Sequence, residues 1–118
     1  MKYIKVLPEV ELTNLHGQKF VDESGIQLKM NSKLFLTNLL ADAKFAEDKT
    51  GSAKLLFIVE IKNQIDKQDF GQKYVSFENE QYKYLKSATE AGEYDARMAL
   101  CIAPFIEAVI NATDEIPE

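Results

Sequence analysis

Residues 54–65 read KLLFIVEIKNQI, and whether they coil or extend decides the fold. Seven of the twelve are apolar. On helical geometry, Leu55, Phe57, Ile58, Val59, Ile61 and Ile65 spread over roughly 200° of arc. Leu56 falls outside that arc, and Glu60, Asn63 and Gln64 hold the remaining side. The run Phe57-Ile58-Val59 favours a strand on propensity. Against it, Ile65 continues the helical face past the charged interruption, and residues 62–68 are good helix formers. The stretch therefore predicts a helix. An arc this wide suits a central helix, or one shared with a second subunit.

Working outward, Ser52 opens that helix, and a charged segment, EDKTG at residues 47–51, separates it from another. The earlier helix is capped by Asn31 or Ser32 and carries Leu34, Phe35, Leu36, Leu39, Leu40, Ala43 and Phe45. Residues 3–30 instead alternate: Pro8, Val10 and Leu12 share one parity, and Glu9, Glu11 and Thr13 the other. That is the period of a half-buried strand. Asn14-Leu15-His16-Gly17 predicts a hairpin turn, with Gly17 at positive φ, and Ser24-Gly25 predicts a second before Ile26–Met30. A β-ribbon this small must lean on the helices. No internal repeat or low-complexity segment stands out.

Downstream, residues 69–72 break the helix and Lys73-Tyr74-Val75 add a short extended piece. Ser76 is then expected to cap a third helix with Phe77, Gln81, Tyr84, Leu85 and Ala88 on one side. Glu78 and Glu80 suit the dipole of its first turn, and Ala91-Gly92 stops it. A last helix is expected over residues 95–112, with a seam of Met98, Ile102, Phe105, Val109 and Ala112. Pro104 lies within it and predicts a kink near residues 100–104. Residues 113–118 read as a frayed polar tail.

The expected fold class is α+β, mostly α: an N-terminal β-hairpin or ribbon followed by four helices packed as a small bundle. A chain of 118 residues fits one domain, with the ribbon over 1–30, the bundle over 31–112 and the tail over 113–118. Nineteen acidic residues against fourteen basic ones give a net charge of −5, and Arg97 is the only arginine. Nucleic acid is not an expected partner, because phosphate contacts need clustered positive charge. A single cysteine, Cys101, excludes an intrachain disulfide and suits a reducing compartment. The first twelve residues lack the apolar run of a signal peptide. No stretch approaches the ~20 apolar residues of a membrane span. A cytoplasmic protein with no membrane association is expected.

Catalytic chemistry has little to stand on. His16 sits in a predicted turn with no converging ligands, and Cys101 falls on the apolar face between Met98 and Phe105. The loop at residues 48–52 fails as a calcium site: its glycine is two positions early, and Val59 stands where a bidentate Glu is required. Phosphate-cradling glycine patterns are absent. No catalytic residue, cofactor or metal is expected. What remains is an acidic band of Glu78, Glu80, Glu90, Glu93 and Asp95, interleaved with Tyr74, Tyr82, Tyr84 and Tyr94. Tyrosine is enriched at interfaces because it offers area with a polar tip.

The order of these pieces resembles small phage and prophage accessory proteins. The resemblance runs through the hairpin ELTNLHGQKFVDESGIQL, the capped NSKLFLTNLLADA, KLLFIVEIKNQI, SFENEQYKYLKSA and a proline-containing final helix. It is one of pattern over about residues 10–112, and it implies tail-assembly or other accessory roles in a host cytoplasm. The function expected is non-enzymatic: binding protein, in virion or tail assembly, as a homo-oligomer joined through a helical surface. The interface residues expected are Leu55, Ile58, Ile61 and Ile65, with Glu78, Glu80, Tyr82, Tyr84 and Tyr94. A second expectation is a phage-encoded inhibitor of a host defence or regulatory protein, docking by the acidic, Tyr-bearing surface. A third, a small-molecule or nucleotide binder or an enzyme with a pocket between helices, rests on the fold class alone.

Overall fold

The computed structural model describes residues 1–41 and 51–116 of an α+β protein. Residues 54–65 are helical, inside α2 (Ser52–Lys67). Ahead of it, Asn31 Oδ1 accepts the Leu34 N–H at 2.8 Å and so caps α1 (Ser32–Ala41). α1 buries Phe35, Leu36, Leu39 and Leu40, whereas Ala43, Phe45 and the segment 47–50 lie outside the described residues.

The N-terminal ribbon divides. β1 (Lys2–Lys5) pairs antiparallel with β4 (Tyr74–Phe77), in the register Ile4 opposite Val75 and Lys2 opposite Phe77. β2 (Val10–Glu11) pairs with β3 (Lys29–Met30) in a separate small sheet. The expected continuous strand is thus two short ones serving different sheets. Ser32 fixes the link between them, its Oγ accepting the Leu7 N–H at 2.9 Å.

β4 also corrects the cap expected at Ser76. Val75 and Phe77 are buried and Tyr74 and Ser76 half-buried, so the backbone stays extended through Phe77. α3 (Asn79–Ala91) starts from Glu78, whose side chain forms a reciprocal capping box with Gln81. α2 covers the outer edge of β4 with a side-chain amide. Gln68 Nε2 donates to Ser76 O at 2.7 Å, and its Oε1 accepts the Ser76 N–H at 3.2 Å. That satisfies an edge which would otherwise present bare main-chain groups.

The last helix begins later than expected. Ala96–Met98 form a 3-10 turn capped by Asp95, and α4 (Ala99–Ile110) contains Pro104. The N–H that Pro104 lacks would have met the carbonyl of Leu100, in the helix's solvent-exposed first turn, so the helix continues on both sides of the proline. Ile102, Phe105 and Val109 of the seam are buried; Met98 and Ala112 pack at its ends. The tail is tied at its root: Thr113 exchanges two main-chain bonds with Tyr3, at 2.8 and 3.1 Å, and Asp114 meets the Lys2 ammonium at 2.8 Å.

Between β2 and β3 the chain makes an eight-residue repeat. Asn14 Oδ1 accepts the N–H groups of His16 and Gln18, and Asp22 Oδ1 accepts those of Ser24 and Ile26. Each turn closes on a glycine in the left-handed region, Gly17 at φ 82° and Gly25 at φ 80°. The three limbs meet in a cyclic set of main-chain bonds. Phe20 N donates to Leu12 O, Leu12 N to Leu28 O and Leu28 N to Phe20 O, at 3.0, 2.8 and 2.9 Å. Gln27 Nε2 reaches all three carbonyls, at 2.9 Å from Leu12 O and 3.2 Å from Phe20 O and Leu28 O. This three-limbed knot sits on the start of α4. There Cys101 Sγ lies 3.4 Å from Thr13 N, and the Arg97 guanidinium lies 5.4 Å from the Phe20 ring centre.

One core joins these parts. Ile4, Leu12, Phe77, Leu85 and Phe105 belong to a single buried cluster that includes Ile61 and Ile65 of α2.

Candidate protein-interaction surface

α2 is divided along its length rather than around its girth. In its C-terminal half Ile61 and Ile65 are 0% exposed, packed in the core beside β4. In its N-terminal half Leu55, Leu56 and Val59 are 55%, 63% and 48% exposed. Val59 is the helix-face neighbour of both leucines, four residues from Leu55 and three from Leu56. Phe57 and Ile58 lie between the regimes, half-buried, with the Phe57 ring edge-on to Tyr84 at 6.0 Å.

Beside the exposed leucines runs a groove of about 280 Å³, walled by Thr37, Leu40 and Ala41 of α1 and by Ile58, Val59 and Lys62 of α2. Its polar rim is organised: Lys62 Nζ lies 2.6 Å from Asp66, and Lys33 of α1 reaches the same carboxylate at 3.9 Å. Hydrogen bonding from Lys62 holds the Asp66 carboxyl below its ordinary range. An apolar floor with a charged border is the anatomy of a protein contact.

Of the helix residues expected at an interface, Leu55 and Ile58 line this surface, while Ile61 and Ile65 are enclosed by their own chain. The reason is geometric. A helical wheel gives a residue's angle about the axis and says nothing of its depth along it. Leu56 and Val59 complete the exposed patch. The signal for Leu56 was present: an apolar residue on the polar side has no core to enter.

Tyr82, Tyr84 and Tyr94 serve the fold. Tyr82 is 6% exposed and donates its hydroxyl to Val109 O at 2.7 Å, so it is no surface contact. Burial raises its phenol pKa, with Lys2 lowering and Glu90 raising it further. Tyr84 is half-buried, and burial raises its phenol too. Tyr94, 38% exposed, donates to Thr89 O at 2.8 Å and stacks on Phe35. The carboxylates have local partners. Glu78 caps α3, Glu80 pairs with Lys83 at 3.3 Å, Glu90 with Lys86 at 4.0 Å, and Asp95 with Arg97 at 2.7 Å. The Arg97 hydrogen bonds lower the Asp95 pKa. The expected acidic, Tyr-bearing surface is therefore not a row of outward-facing rings.

His16 is exposed in its turn, and the Cys101 thiol lies among Glu11 O and the Thr13 main chain and hydroxyl. Among the described residues no three His, Cys, Asp or Glu side chains gather to hold a metal ion, and no helix is long and apolar enough to cross a membrane. No family model matches the chain, nor does any curated protein or solved structure.

Proposed function

We propose that this protein works without catalysis, by binding protein, and that the surface it uses first is the exposed end of α2 with the α1–α2 groove. The observation that carries this reading is the continuous exposure of Leu55, Leu56 and Val59 beside that groove. Exposed apolar patches rimmed by charge mark contact sites on soluble proteins. The partner proposed is a second copy of the chain, packing α2 against α2 about a two-fold axis, the commonest symmetry of homo-oligomers. The pattern-level resemblance to phage accessory proteins supports an assembly role for such an oligomer, in a virion or tail.

The test is sedimentation at micromolar concentration. The native chain is expected to sediment as an oligomer, and Leu55→Glu with Val59→Glu as a monomer with unchanged helical signal. A native chain that remains monomeric across the micromolar range overturns the reading.

A further inference from the structure

β1 presents a second kind of surface. In an antiparallel ladder, alternate residues direct their main-chain groups to opposite edges. Val6 N–H bonds to Lys73 O at 2.9 Å on the β4 side, and Tyr3 bonds to Thr113 on the other. Lys5, two residues beyond Tyr3, therefore turns its N–H and C=O toward the Thr113 edge, and no described hydrogen bond meets them. A cleft of about 330 Å³ lies at this place between β1 and α4, at the lower end of the ~300–1,000 Å³ typical of ligand sites.

Thr113 Oγ1 donates to Glu115 O at 2.6 Å, and the other polar side chains around the cleft are unengaged. Tyr3, Lys5, Tyr74, Glu107 and Asn111 line the cleft, and none makes a side-chain hydrogen bond or ion pair with another described residue. Leu7, Pro104 and Ala108 supply an apolar wall. The site thus offers one main-chain donor and acceptor at a strand edge, one ammonium, one carboxylate, one side-chain amide, two phenols and a short apolar surface. We propose that the cleft binds the carboxyl-terminal end of an extended peptide.

The chemistry selects that occupant. Main-chain pairing at an open strand edge requires a peptide, and the chain's own Thr113 uses the same mode one step away. The Lys5 ammonium and the Tyr3 and Tyr74 hydroxyls are the donors for a terminal carboxylate. Glu107 accepts from a peptide N–H, and the last side chain rests on Leu7, Pro104 and Ala108. The cleft shares no residue with the α1–α2 groove, so it stands or falls apart from self-association.

The experiment is an amide-shift titration of the full chain with acetyl-Ala-Val-Leu, its carboxamide, and acetate. The free-acid peptide is expected to shift the amides of Tyr3, Lys5 and Asn111, with the carboxamide binding at least tenfold more weakly and acetate producing no comparable shifts. Lys5→Met, at an exposed position, is expected to weaken the acid at least tenfold without moving the thermal midpoint. Absence of shifts at these amides at millimolar peptide overturns the proposal. So does equal binding of acid and carboxamide, or acetate reproducing the shifts.

Discussion

Ile65 and Leu56 belong to one helix and have opposite surroundings, and substitution should separate them. Ile65→Ala removes methyl groups from a site of 0% exposure, so the cost is lost transfer energy plus a cavity. It is expected to lower unfolding free energy by about 2–5 kcal/mol in urea titration. Leu56→Ala, 63% exposed in the single chain, should stay within about 0.5 kcal/mol when unfolding is measured below the concentration range of self-association. Tyr82 adds a pH dependence. Its folded-state pKa lies above the unfolded value, so the unfolded chain releases its proton first as pH rises. The stabilising contribution is complete below the unfolded pKa of about 10 and lost as pH climbs through the folded one. Urea midpoints should fall between pH 9 and pH 11, and Tyr82→Phe should make that fall shallower. The same variant loses the bond to Val109 O, at about 1 kcal/mol near neutrality. Tyr84, raised in the same direction by burial, leaves a residual slope.

At the scale of elements, the knot between β2 and β3 is built from one turn used twice. Asn14 and Asp22 play the same part eight residues apart, as do Gly17 and Gly25. The spacing was visible in the sequence, but Asn against Asp and Leu12 against Phe20 share geometry rather than identity. A search for repeated letters therefore passes over it. The cross-limb bonds and Gln27 at their centre join residues whose proximity no local signal announces. Because a Cβ at Gly17 or Gly25 meets nothing within 4 Å, substitution there tests backbone strain alone. Gly17→Ala and Gly25→Ala should each cost about 1 kcal/mol, and by equal amounts if the turns are copies; thermal unfolding of the two variants checks this. The start of α3 shows a different failure. Ser76 has the chemistry of a cap, yet Tyr74–Phe77 has the period of a strand. The pairing with β1 decides between them.

For the whole molecule, the informative contact joins β1 to β4 across some seventy residues, with Thr113 bridging to Tyr3 on the far edge. Both chain ends are thereby tied to one sheet. Thr113→Pro removes the N–H that Tyr3 O accepts, and hydrogen exchange should accelerate across residues 2–5 while the amides of α1 keep their protection. Equal acceleration in both regions would show instead that the tail's root carries the global fold. The candidate contact surface has the same long-range origin. α2 is exposed at its N-terminal end, whereas Ile61 and Ile65 at the other end are enclosed in the core and Gln64 and Gln68 reach Ser76 of β4.

What the sequence determined alone was local: the 3.6 period of the helices, Asn31 as a cap, the glycine turns, and the wide apolar arc of α2. These depend on residues a few positions apart, where backbone sterics and side-chain hydrogen bonds act without help from the rest of the chain. The tertiary structure decided which strand meets which, where α3 begins, and which part of the arc is left in water. Each of those is a choice among distant partners, and its energy comes from apolar area and edge hydrogen bonds that exist only after the chain has folded back on itself.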